Sequence, residues 1–161
     1  MLPDKDHVVR TCKASSAPGG KPTPASFAFR QTVDGSWTDT YLSVHWLEFL
    51  LPYEAELSEK FAKFREFLGA EHPFPVLKPG KTSVLAAIKV SDIHLGSAQG
   101  VATILRCIHE PEGQGDPHAG IHPNPGVEHW PSSGDSPAHL AIQQFLFQHI
   151  CGIEATYLPA T

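Results

Sequence analysis

The chain has 161 residues, 41% of them apolar and 18% charged, with a formal net charge of −5. That size and balance suit one globular domain with one core, and they exclude a fibrous or disordered chain. No apolar run approaches the roughly 20 residues that a bilayer span needs. The opening MLPDKDHVV is charged at once and has no apolar signal region, so the expectation is a cytoplasmic protein without membrane contact.

Charge is unevenly spread. All twelve Lys and Arg residues lie at or before Arg106, whereas the segment from Cys107 onward holds Glu110, Glu112, Asp116, Glu128, Asp135 and Glu154. Nucleic acid calls for clustered cations. The C-terminal third offers the opposite field, which disfavours a nucleic-acid partner. Cys12, Cys107 and Cys151 are odd in number, widely spaced and without a CxxC pair. They therefore read as buried free thiols, not as a disulfide framework or a cysteine-rich zinc site.

In chain order, HVVRTC (7–12) and SFAFR (26–30) read as short strands, joined by the turn-rich KASSAPGGKPTPA. His7 and Arg10 on the first suit an edge-strand surface pair. YLSVHWLEFLLP reads as a short helix capped by Ser43 and stopped by Pro52, with Trp46 in the core. The next segment is the clearest helix, near 53–68: Leu57, Phe61, Phe64 and Leu68 form one apolar stripe and Gly69 follows its end. Residues 83–90 and 101–109 are rich in β-branched side chains and read as central strands.

From Pro111 to Pro137, eleven of 27 residues are proline or glycine, which predicts an irregular but ordered loop over 111–136. A last helix is expected near 137–150, with Pro137 in its first turn. The order of elements lacks steady βαβ alternation. It predicts a single α+β domain over 1–161, with a mainly antiparallel sheet, two or three helices on one face, and a long Pro/Gly/His-rich loop.

Known catalytic spacings are absent. KPGKTS (78–83) ends like a phosphate-binding loop, but Pro75 stands where that motif needs its first glycine. No HExxH or GxSxG is present. What stands out is DPHAGIHPNPGVEHW (116–130). Neutral imidazoles and carboxylates suit a divalent transition metal such as zinc, nickel, iron or manganese. The candidate ligands are Asp116, His118, His122, His129 and His139, with Glu128 and His109 as further donors. Three such ligands plus a bound water would make a metal-assisted hydrolase. The plainer reading is a proline-stiffened loop whose histidines face solvent or cap turns. A histidine acting in acid–base chemistry without a metal is a third. Trp130 beside His129 suits either a cleft wall or an anchor for the loop.

The absence of a catalytic signature favours a non-catalytic interaction or accessory module. It would use the acidic, His-rich loop and an aromatic surface, with His118, His122, His129 and Trp130 meeting a protein or small-molecule partner. The small metal-assisted hydrolase is the alternative.

Overall fold

Strand β1 (His7–Cys12) lies at the centre of a six-stranded antiparallel sheet and is flanked by β2 (Leu42–Trp46) and β3 (Val84–Lys89). Beyond β2 come β5 (His118–Pro123) and then β4 (Leu105–His109), while β6 (Ile150–Ala155) pairs with β3 at the other edge. The computed structural model describes residues 1–28, 41–95, 105–123 and 137–157. The described residues also hold the α-helices α1 (Leu47–Leu50), α2 (Leu57–Gly69), α3 (Val90–Leu95) and α4 (Pro137–Gln148). The chain is α+β with an antiparallel sheet, as its composition and patterning predict. No helix among the described residues is long and apolar enough to cross a membrane.

The helices cover both faces of the sheet, not one. Val8, Cys12, Val44, Ala86, Ile88, Ala119 and Ile121 pack with Ile93 of α3 and with Ile142 and Leu146 of α4. Their alternate neighbours Val9, Leu85 and Ala87 pack with Phe61, Phe64, Phe67 and Leu68 of α2. Side chains alternate across a strand, so a strand covered on both faces must be apolar at every position. That accounts for VLAAI in β3, where Leu85, Ala86 and Ala87 are fully buried. Gly152 on β6 sits in the same close packing, where a Cβ would lie 2.6 Å from Leu57 Cδ2 and would push that side chain aside.

Four local expectations are corrected. SFAFR begins as a 3-10 turn (Pro24–Phe27), because Pro24 fixes the first position and the Thr23 and Ser26 side chains close a capping box; positions 29–30 lie outside the described residues. The segment read as a helix capped by Ser43 is strand β2, followed by the single turn of α1. Its 42–46 stretch alternates apolar and polar side chains, and pairing with β1 and β5 decides its conformation. The supposed loop contains β5, since Pro117 precedes that strand and Pro123 ends it, where a missing N–H is tolerated. β1 is not an edge strand, and His7 and Arg10 point to opposite faces of the sheet. The rest of the loop, 124–136, lies outside the described residues, as do positions 101–104.

His7 instead joins a buried ion cluster. Glu48 Oε2 accepts from the His7 backbone N–H at 2.7 Å, while Oε1 accepts from Lys60 Nζ at 2.8 Å and lies 2.7 Å from His7 Nδ1. Glu48 and Lys60 are each only 9% exposed. Burial pushes the Glu48 carboxyl up, but the His7 and Lys60 hydrogen bonds outweigh it and hold the group below its ordinary value. Its contribution to stability is therefore present near neutrality and lost as the pH falls through the lowered value. Changing Glu48 to Gln strands the Lys60 ammonium, and should lower the unfolding free energy by about 3 kcal/mol. The double change Glu48→Gln/Lys60→Met should recover most of that loss. Urea unfolding at neutral pH checks both, and equal losses in the single and double variants would refute the coupling.

Candidate functional site

The sheet face opposite α4 changes character toward β2, β5 and β4. Over β1 and β3 it is apolar and lies under α2. Over β2 and β5 it carries Tyr41 just before β2, Ser43 and His45 on β2, and His118, Gly120 and His122 on β5. The register places Ser43 opposite Gly120 and His45 opposite His118. Arg106 on β4 stands opposite His122.

Ser43 and His118 meet on the diagonal, with Ser43 Oγ 2.9 Å from His118 Nε2. The other ring nitrogen, Nδ1, lies 2.9 Å from the Glu110 backbone carbonyl. A carbonyl offers only lone pairs, so Nδ1 carries the hydrogen and donates. Nε2 then presents its lone pair and accepts from the Ser43 hydroxyl. This is the arrangement of a nucleophile, its base and an orienting group. Arg10 fixes Ser43 from behind, donating from Nη1 to the Ser43 carbonyl at 2.7 Å and from Nε to the Ser26 carbonyl at 3.1 Å.

The strand end that carries His118 is pinned by Asp116. Its carboxylate accepts from the His118 N–H at 3.0 Å and the Glu112 N–H at 2.8 Å, and its carbonyl lies 2.7 Å from His109 Nε2. Gly115, at φ 84°, makes the turn that brings these groups together. His109 also packs against Trp46 and Phe49, with ring centroids 5.3 and 4.8 Å away. Trp46 donates from Nε1 to Asp6 at 2.8 Å while packing against the core.

Three histidines in the row meet three environments. His45 lies against Phe64 of α2, with centroids 5.0 Å apart, and 5.6 Å from His118. Burial, then the neighbouring His118, push its imidazole down to about 4. His118 is held at both nitrogens. His122 Nε2 lies 2.9 Å from Glu110 Oε1 without the alignment of a hydrogen bond. Burial lowers the His122 imidazole, against the pull of Glu110 and with the help of Arg106.

Of the residues proposed as metal ligands, only His118 and His122 share a face. Asp116 is spent on backbone N–H groups. His139 is fully buried on α4, beneath the other face of the sheet. His129 and Glu128 lie outside the described residues, as does Trp130. Among the described residues no group of three or more His, Cys, Asp or Glu side chains is arranged to hold a metal ion. Cys12 and Cys107 belong to the core on the other face of the sheet. Cys12 and Cys107 are buried, and burial pushes the Cys107 thiol up to about 12, while Cys151 is exposed. Reading the sequence alone missed Ser43, His45, Tyr41 and the Glu110 carbonyl. The available signal was the alternation in LSVHW and HAGIH, which puts Ser43 with His45, and His118 with His122, on one side of each strand.

No protein-family model, curated protein or solved structure matches this chain.

His45 supplies a test of the geometry. In the unfolded chain its imidazole titrates near the ordinary value of about 6.5. Between about pH 6.5 and about pH 4 the unfolded state therefore binds more protons. Stability from this group is complete above that window and is lost as the pH falls through it. Changing His45 to Phe keeps a ring against Phe64 and removes the titration. Between about pH 7 and about pH 4.5, wild type should lose about 2–3 kcal/mol more than this variant in urea unfolding. A pH-independent difference would contradict the placement of His45.

Proposed function

We propose that this chain is a small acyl-transfer enzyme, which hydrolyses an ester or similarly activated acyl compound through Ser43 with His118 as its base. The observation that carries the reading is the 2.9 Å Ser43–His118 hydrogen bond, with the tautomer of His118 fixed by the Glu110 carbonyl. A serine hydroxyl is a weak nucleophile until a positioned base takes its proton. Here Ser43 Oγ would bond to the acyl carbon as its proton passes to His118 Nε2. The same imidazolium would then protonate the leaving group as the bond to it breaks. Water, deprotonated by His118, would release the acyl group as an acid and restore the hydroxyl.

A second reading keeps the chain non-catalytic, a module that docks a protein or small molecule. It is favoured by how fully the row is hydrogen-bonded, since a satisfied polar network also serves to rigidify a fold. Here the Ser43–His118 bond would be a brace between β2 and β5.

Labelling with a fluorophosphonate probe and turnover of para-nitrophenyl acetate separate the two. The enzyme reading expects one label per chain, located at Ser43 and absent in Ser43→Ala. It expects His118→Gln to slow labelling by about a hundredfold or more, with the fold intact by circular dichroism. A wild-type protein that neither labels at Ser43 nor turns over the ester faster than Ser43→Ala overturns that reading in favour of the brace.

A further inference from the structure

The two edges of the sheet are finished differently. On the outer side of β4, the Leu2 N–H donates to the Cys107 carbonyl at 2.9 Å, and His94 Nε2 accepts from the Cys107 N–H at 3.0 Å. Other parts of the chain therefore cover that edge. At the opposite edge β6 (ICGIEA) holds no proline, lysine or arginine, the residues that commonly blunt an exposed strand. Among the described residues no strand pairs with its outer side. The Thr156 N–H donates to the Ser83 carbonyl at 3.2 Å, which fixes the ladder. Thr156, Glu154 and Gly152 turn their backbone groups to β3, while Ile153 and Ala155 turn theirs outward. The register shift at Ala87–Ile88 falls before Gly152 and leaves this stretch regular. Ile153 is 48% exposed.

We infer that β6 is a dimer interface, which pairs antiparallel with β6 of a second copy of this chain about a two-fold axis at Ile153. The N–H and carbonyl of each Ile153 then meet those of the other, as an isologous contact requires. Charge selects this register. Centring on Glu154 would set two carboxylates opposite each other, whereas centring on Ile153 sets each Glu154 opposite a Gly152.

The helices that follow from this pairing are complementary too. α2 runs along β6, with Leu57 and Phe61 over Gly152 and Arg65 bonded to Glu154. Its outer flank (Ala62, Arg65, Glu66 and Gly69) forms, with Thr156 and Tyr157, a groove of about 350 Å³ beside the free edge. The two-fold axis brings both grooves to the same side, with the two α2 helices antiparallel. With α2 centred over β3, three strand spacings put the helix axes roughly 14 Å apart. Facing long side chains span such a gap. Arg65 of each copy then meets Glu66 of the other, and the guanidinium keeps donors beyond the one it gives to Glu154. The interface lies across β1 and β3 from Ser43, and it does not rest on the acyl-transfer reading.

The test is sedimentation equilibrium of the full chain from about 1 μM to about 1 mM, with amide hydrogen exchange measured at both ends of that range. Wild type should dimerise as concentration rises, and exchange at the Ile153 and Ala155 amides should slow in step. Ile153→Pro removes an N–H that the pairing with β3 does not use, and loss of two symmetric hydrogen bonds should weaken the dimer about tenfold or more. Ile153→Lys carries the same expectation if Ile153→Pro does not fold. Glu66→Lys should weaken the dimer at low salt and less so at high salt. Ser43→Ala should leave it unchanged. The inference is overturned if the chain stays monomeric throughout, including the case in which β6 pairs only with a different protein. It is equally overturned by a dimer that leaves the Ile153 and Ala155 amides unprotected. Dimerisation of the position-153 variant, or of Glu66→Lys at low salt, as tight as that of wild type would overturn it too.

Discussion

The pairing register of β2 with β5 is the constraint on which the candidate site depends. Leu42, Val44, Ala119 and Ile121 are buried together on one face, opposite one another as Leu42–Ile121 and Val44–Ala119. A slip of either strand by one residue would turn its whole apolar set to the other face and send imidazoles into the core. The hydrophobic face therefore determines where Ser43, His45, His118 and His122 go. Polar clamps hold the same register at both ends. Trp46 N–H donates to the Pro117 carbonyl at 2.8 Å, and Arg10 grips the carbonyl of Ser43. A 2.9 Å contact between side chains 75 residues apart in sequence is the outcome of those constraints.

How much of this was legible in the sequence follows from which signals are local. The stripe Leu57, Phe61, Phe64 and Leu68 specifies α2 without help from the rest of the chain, and the structure adds only that the helix begins at Leu57. VLAAI was legible as a strand, and its two alanines, which argue for helix in isolation, reflect cover on both faces. β2 was not legible as a strand, because its aromatic and apolar density resembles a short helix and its alternation covers only five residues. β5 was obscured by prolines that frame the strand and do not interrupt it. β6 is short, carries Gly152 and follows directly on α4, so nothing local separates it from the helix. His118 and His122 are four residues apart, a spacing that shares one face of a helix, but the segment is too rich in proline for a helix. Four residues apart on a strand also means one face, and that reading recovers half of the site. The other half, Ser43 and His45, comes from a strand whose partner lies far along the chain, which no local pattern announces.

The acidic C-terminal third takes a different meaning once folded. Asp116 satisfies backbone donors in a turn, and Glu154 pairs with Arg65 of α2 at 2.6 Å, so neither adds a free charge to the histidine face. Glu110 does face it, through a carboxylate near His122 and a carbonyl on His118. One residue thus serves two histidines by two different groups. The carbonyl sets a tautomer without adding charge, and the carboxylate offsets positive charge at the neighbouring ring.

On the acyl-transfer reading proposed above, that division bears on which imidazole would receive a proton from Ser43. His45 and His118 lie 5.6 Å apart, close enough for charge on one to disfavour charge on the other. Packing against Phe64 favours the neutral form of His45, because it removes much of the solvent that would stabilise its cation. His45 is held neutral near neutral pH, so on that reading the proton would pass to His118, which is bonded to Ser43 and whose Nδ1 lies against the Glu110 carbonyl. The two rings share a face and a side-chain type, but one is packed against Phe64 and the other is bonded to Ser43, and the proposed roles follow that difference.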